Sequence, residues 1–266
     1  MKIKFNLFSK SFLLSFLTFG LIAAIIITSL YLDANAIDPK NEETNMLVGI
    51  TDENGILSIC VLNFNPSSNS ISFLPVPDNV WLENGIVLQN SYKTYDITNF
   101  KYSLEALIGT KINRYLLLSV DSVAEINDKM GAFDYQVQYP FAHDNEIQTG
   151  FLHIYGDMTK SMFSYNYDFS KVSVSKIAFT YLNTFLATYA KPSHIQKLSD
   201  LLSSQSFISK THTNLSKNEI KTYCEIFSQY SSFNNKTIEL NGTYNQASSS
   251  IYFIPENTKS DKNIFK

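Results

Sequence analysis

The chain has 266 residues, enough for one main domain and an appendage at roughly 100–200 residues per domain. Hydrophobic residues make up 44% and charged ones 17%, which excludes a long disordered polar chain. A net charge of −3 excludes general electrostatic binding to nucleic acid, and two cysteines, Cys60 and Cys224, cannot alone form a disulfide framework or a four-ligand zinc site.

Met1 to Lys10 carries Lys2, Lys4 and Lys10 and no acid. From Ser11 to Leu32 the chain is uncharged and rich in Phe, Leu and Ile, long enough for the roughly 20 residues that cross a bilayer core as a helix. The predicted unit is a retained transmembrane signal-anchor. The lysines before it and Asp33 after it put the N-terminus in the cytoplasm and the main domain outside. The competing reading is a signal peptide cleaved after Ala36, because Ala34-Asn35-Ala36 has the small-x-small form. A linker over 33–44 leads into the main domain, 45–256, and a charged tail closes the chain over 257–266.

Within the main domain, Asn45 to Thr51 reads as a first strand ending in the turn Asp52-Glu53-Asn54-Gly55. Ile56 to Phe64 and Ile71 to Val76 read as a hairpin around Asn65-Pro66-Ser67-Ser68-Asn69-Ser70. Pro75 and Pro77 are expected to stop regular pairing. A helix follows over Tyr102 to Ile108, with Gly109 as its stop. Arg114 to Val120 is a nearly continuous apolar run, the type of strand covered on both faces. Ser122 to Met130 is an amphipathic helix, and Phe133 to Val137 a strand. Val172 to Tyr189 carries the strongest helical period. Shorter helices lie near Ser193 to Leu202 and Ser216 to Ser228, the latter opened by a Ser216/Glu219 capping box. Strand-like pieces at Thr237 to Leu240 and Ser250 to Ile254 end the domain. Alternating strands and helices predict a three-layer α/β/α architecture.

Chemistry-bearing motifs are sparse. There is no Gly-rich phosphate loop, CxxC or G-x-S-x-G, and His143, His153, His194 and His212 lack metal-ligand spacing; each reads as an ordinary surface or loop histidine. Cys60 and Cys224 read as small buried hydrophobes. Arg114 is the only arginine, so a bidentate grip on phosphate has few donors available. The aromatic fraction is high, with 20 Phe and 16 Tyr. Phe64, Phe73, Leu116 to Leu118, Phe163, Phe179 and Phe185 are candidates to line a pocket for a long apolar ligand, against the alternative of simple core packing.

The order of segments resembles the LytR-CpsA-Psr (LCP) family across essentially all of the main domain. The similar pieces are Asn45 to Gly49, Asn65-Pro66 leading to Val76-Pro77, Gly109-Thr110-Lys111-Ile112-Asn113-Arg114-Tyr115, and Met130-Gly131-Ala132-Phe133. Ile154-Tyr155-Gly156, Asp168-Phe169-Ser170-Lys171 and Asn214-Leu215-Ser216-Lys217-Asn218-Glu219-Ile220 follow in the same order. The resemblance implies an anchored bacterial envelope protein, related to phosphotransferases that move glycopolymers such as teichoic acid from a polyprenyl-phosphate carrier to peptidoglycan.

The departures fall on the family's catalytic positions. Its arginine and aspartate after Ile-Pro are Asp78 and Asn79 here, and its early acidic residue is Leu57. Two arginines fall on Ser164 and Asn166, and two more on Lys171 and Val174. Cleavage of a lipid-linked pyrophosphate is catalysed by cations that neutralise its charge in the transition state. The resemblance therefore implies a protein that has lost transfer activity, a pseudoenzyme, and acts by binding lipid-linked glycan or other LCP proteins. Two alternatives remain: a transferase rebuilt around Lys171, Asp168, Lys160 and Asp157 with Mg²⁺ as cofactor, and an envelope scaffold that binds no ligand.

Overall fold

The computed structural model describes residues 38–77, 79–82, 85–94, 96–167, 173–247, 250–256 and 263–265. The expected anchor and basic tail lie outside the described residues, as does most of the charged tail. Among the described residues no helix is long and apolar enough to cross a membrane.

The unit Pro39–Lys266 is organised by a six-stranded sheet. Strand β1 (Thr44–Asp52) turns into β2 (Gly55–Asn65), which forms a hairpin with β3 (Ser70–Val76). The first turn is local chemistry: Asp52 Oδ1 accepts the N–H groups of Asn54 at 2.8 Å and Gly55 at 2.9 Å. The glycine takes φ 140°, a backbone that side chains disfavour. Strand β4 (Arg114–Ser119) runs parallel to β1, β9 (His212–Thr213) lies outside β4, and β10 (Asn234–Thr237) runs parallel to β3 at the other edge. The order is β10-β3-β2-β1-β4-β9. Strands β1, β3 and β4 therefore end at the same edge of the sheet.

Helices α1 (Leu88–Thr94) and α2 (Ile97–Ile108) cover one face. Asp96 caps α2 by accepting from the N–H groups of Thr98 and Asn99, and Gly109 ends it at φ 65°. Phe100, Leu104 and Ile108 pack there against Leu47, Val61, Leu74 and Leu117. The other face carries α3 (Val120–Met130), α4 (Gly156–Ser164), α5 (Val174–Tyr189), α6 (Pro192–Leu202), a short α7 (Gln205–Ile208) and α8 (Lys217–Phe227). Met46 and Ile50 of the sheet meet Val123, Ile126, Ile177 and Tyr181 on that side. The expected three layers are present. Ser216 and Glu219 form the expected capping box.

Three small two-stranded pairings complete the fold. They are β5 (Phe133–Gln136) with β8 (Phe151–Ile154), β6 (Phe141–His143) with β7 (Glu146–Gln148), and β11 (Gly242–Ala247) with β12 (Ser250–Pro255).

Some expectations need correction. Pro75 does not stop β3 but pairs with Cys60 inside it. It is tolerated because β10 reaches only Phe73, so the outer side of β3 at Pro75 asks for no donor. The strand expected at Thr237 to Leu240 lies earlier, at Asn234–Thr237, where four exposed polar residues give no alternating pattern.

Candidate functional site

Between the sheet and the helices α3, α5, α6 and α8 the core does not close. A cavity of about 170 Å³ remains, lined by Met46, Val48 and Ile50 of β1, Leu116 and Leu118 of β4, and Tyr181, Phe185 and Leu186 of α5, among others. Of the expected lining residues, Leu116, Leu118 and Phe185 are there. The aromatic candidates on β2 and β3 are not. Phe64 meets Phe233 edge-on, and Phe73 meets Tyr230 edge-on and Phe179 at a tilt, in a satellite core around Leu186 and Tyr230. Phe163 packs on Tyr181 at 5.4 Å. Phe64, Phe73 and Phe179 fill space rather than line it, and Phe163 borders the open cleft described next. The wall is largely aliphatic, and its signal was the period-two spacing of Met46, Val48 and Ile50 on β1. Cys60 and Cys224 also line the cavity. Burial pushes each thiol up to about 12, so neither is an active nucleophile.

A second, open cleft of about 720 Å³ lies at the carboxyl ends of β1 and β4, the usual position for ligands in an α/β sheet. It begins where the cavity lining ends. Ile50, Ser58 and Leu118 border the cavity, while their chain neighbours Thr51, Leu57 and Ser119 border the cleft. The fold brings Leu57, Ser164, Asn166 and Val174 together here, although they are scattered over more than a hundred residues of sequence. Asn79 is elsewhere: its Nδ2 donates to the Ile251 carbonyl at 3.0 Å, holding the segment after β3 to β12. Asp78, Asp168 and Lys171 lie outside the described residues.

The described residues of the cleft carry a charge that opposes an anion. Asp52, Glu53 and Asp121 line it, and among the described lining residues Lys160 is the one cation. Its ammonium sits 3.0 Å from Asp121. That contact and the fields of Asp157 and Asp128 raise the lysine above its ordinary value. The first turn of α3 would favour a phosphate through its free amides, but Asp121 stands in that turn. The carboxylates are also a poor divalent site. Asp52 is engaged in its own turn, Asp121 holds Lys160, and no three His, Cys, Asp or Glu groups converge among the described residues.

The remaining polar candidates serve the fold. Arg114 is buried against Glu219. His153, His194 and His212 are exposed, as expected, but His143 is not a surface residue. It is held inside between Ser161 Oγ at 2.8 Å and Tyr155 Oη at 3.0 Å.

No protein-family model matches the sequence, and no curated protein matches it either. Solved structures do. The chain is similar to TagV of B. subtilis, at 16% identity and TM-score 0.70 over 82% of this chain and 92% of that one. It is also similar to TagT bound to LI-WTA, at 12% identity and TM-score 0.65 over 83% and 87%. A third is the LytR-CPS2A-psr family protein YwtF (TagT) with bound octaprenyl pyrophosphate lipid, at 10% identity and TM-score 0.62 over 83% and 87%; TagT, too, is a B. subtilis protein. With its sheet order, its two helical layers and this structural likeness, the chain carries an LCP-like domain, the mixed α/β fold of the LytR-CPS2A-psr proteins.

Proposed function

We propose that the protein is a membrane-anchored, extracytoplasmic LCP-like component of the bacterial envelope that binds a polyprenyl-linked glycopolymer without transferring it. One observation carries the reading: an apolar cavity adjoins a cleft whose one cation among the described lining residues, Lys160, is held by Asp121. The apolar tail of the ligand enters the cavity between β1, β4 and α5, and the head lies over Thr51, Ser119 and Asn166. The cavity favours this over a scaffold with a filled core. The fold's relatives with octaprenyl pyrophosphate and LI-WTA bound support the ligand class.

Size sets a condition. An apolar cavity of about 150 Å³ takes a benzene-sized guest, so 170 Å³ holds only a short piece of an isoprenoid chain. A full tail requires α5, α6 and α8 to separate from the sheet. Binding is then coupled to a conformational change and is slow relative to docking into a rigid groove.

The test is a thermal shift of the detergent-solubilised chain with polyprenyl phosphate. At one hundred times Kd the gain is about 2.7 kcal/mol, or roughly 5–11 °C for a domain of this size. Leu118→Trp, which fills the cavity, should abolish the shift. No shift at any lipid concentration that saturates TagT would overturn the proposal.

A further inference from the structure

The chain has one tryptophan, and neither the cavity nor the cleft uses it. Trp81 follows β3, two residues beyond Asn79, and its neighbours Val80 and Leu82 pack with Phe253 on the face that α1 and α2 cover. Its backbone is fixed from two sides. Trp81 N–H donates to the Phe253 carbonyl at 2.8 Å, and Leu88 N–H and Phe253 N–H donate to Val80 and Asn79. Bridges join Val80 to Phe253 and Trp81 to Val87. The ring meets Tyr252 edge to face at 4.8 Å, yet the residue stays 39% exposed. A large aromatic held this rigidly and left in water has lost its conformational entropy in advance, which is the property of binding hot spots.

The neighbouring strands define what would bind. In the β11–β12 register Asn245 pairs with Tyr252 and Thr243 with Ile254, so these four share the face that Tyr252 presents to Trp81. The opposite face sends Phe253 into the core. Gly242 to Pro255 contains no charged residue. Such a face cannot attract a phosphate chain, a nucleic acid or an anionic bilayer, each of which needs lysine or arginine. It offers aromatic rings for the C–H face of a sugar, flanked by an amide and a hydroxyl for its hydroxyl groups.

We propose that Trp81 and Tyr252, with Asn245 and Thr243, form a stacking platform for a neutral pyranose chain, so that the protein grips a glycan here as well as a lipid in the cavity. The proposal rests on the glycopolymer-binding reading above for its biological role but not for its chemistry. The platform needs no occupant in the cavity.

The single tryptophan makes the test direct. Trp81 emission of the full-length chain in detergent is titrated with an N-acetylglucosamine hexamer, cellohexaose and maltohexaose. The expected result is a saturable shift in emission with at least one of them, with a midpoint between about 10 μM and 1 mM. Tyr252→Ala or Asn245→Ala should raise that midpoint at least tenfold. Both variants are judged at unchanged far-UV circular dichroism, and Asn245, exposed on a two-stranded ribbon, gives a variant that folds. No saturable change with any of the three sugars overturns the platform. So does an equal response to neutral or anionic lipid vesicles, or a midpoint unmoved in Asn245→Ala. The cavity is read separately: Trp81→Phe should leave the thermal shift with polyprenyl phosphate intact. Glycan binding without that shift would refute the lipid reading alone, and the shift without glycan binding would refute the platform alone.

Discussion

Arg114 Nε donates to Glu219 Oε1 at 2.6 Å, with both side chains almost fully buried between β4 and α8. The other carboxylate oxygen of Glu219 accepts Ser216 N–H at 2.9 Å, closing the capping box. One acid thus anchors the chain's only guanidinium and starts a helix. Removing one member of a buried pair leaves the other uncompensated, at a cost of about 3–5 kcal/mol. Arg114→Met should lower the unfolding free energy from urea melts by that amount, and Glu219→Gln by less, because the amide still serves the cap. Arg114→Met with Glu219→Leu should recover part of the loss. A single variant as stable as the parent would show that the pair contributes little.

Gly156 opens α4, and its N–H donates to Asp128 Oδ1 at 2.8 Å. A Cβ at this position would overlap the Asp128 carboxylate itself. Gly156→Ala should therefore destabilise by about 1–3 kcal/mol, through the lost hydrogen bond and local overpacking. Asp128→Ala removes the obstacle, so the double variant should lose less than the sum of the singles, by roughly 0.5 kcal/mol or more. Strict additivity in urea melts would contradict the contact.

Stability should fall in alkali. Burial raises Cys60 and Cys224 from 9.0 to about 12, and Tyr223 and Tyr230 from 10.0 to about 12. Tyr135, Tyr167 and Tyr181 are raised as well, also by burial. A raised folded value means the unfolded chain loses its proton first. The contribution is whole below pH 9 and is lost as pH climbs through the folded values. Each group costs up to about 1.4 kcal/mol per pH unit in that window. Urea midpoints measured from pH 8 to 11 should drop, with tyrosinate absorbance rising in the same transition as unfolding. Tyrosinate absorbance before unfolding beyond what exposed phenols such as Tyr102, Tyr155 and Tyr244 supply would show these buried phenols to be accessible.

The purified domain should release no lipid phosphate with Mg²⁺ or Mn²⁺. Losing one preorganised donor typically lowers the rate about 10²–10³-fold, and the cleft positions Ser164 and Asn166 both lack one. Lys160, held by Asp121, is a point charge without a fork. Activity that vanishes in Lys171→Ala or Asp168→Ala would instead establish a rebuilt site. Arginines placed together at Asp78, Ser164 and Asn166 should restore some turnover if the substrate pocket persists.

The anchor is tested by topology. Protease added to intact cells should cut beyond Asp33, and the protein should fractionate with membranes. A soluble form beginning at Ile37 would show cleavage after Ala36 and refute the anchor.

Much of this architecture is legible in sequence because local and tertiary preferences agree. Strands β1, β2 and β4 are near-continuous apolar runs since helices cover both faces, and Ser216 with Glu219 announces α8. Helix α4 is not legible: Gly156 to Ser164 is only nine residues long and opens on a glycine, and its N-cap Tyr155 gives no side-chain cap. The cleft is half legible. Leu57, Ser164, Asn166 and Val174 line one cleft, whereas Asn79 works as a tie to β12. The cavity is partly legible: Leu116, Leu118 and Phe185 line it as expected, whereas Phe64 meets Phe233, and Phe73 meets Phe179 and Tyr230, in the satellite core.

Cys60 and Cys224 look into the same hollow from the sheet and from α8, with no disulfide between them. Thiol exchange and peroxide both act on the thiolate, and at neutral pH a thiol held near 12 offers about one thiolate in a hundred thousand molecules. The greasy interior therefore doubles as a chemical shelter. Oxidative damage to this protein should track how often the hollow opens, so a guest that wedges the helices apart would expose both sulfurs, and one that fills the space would shield them.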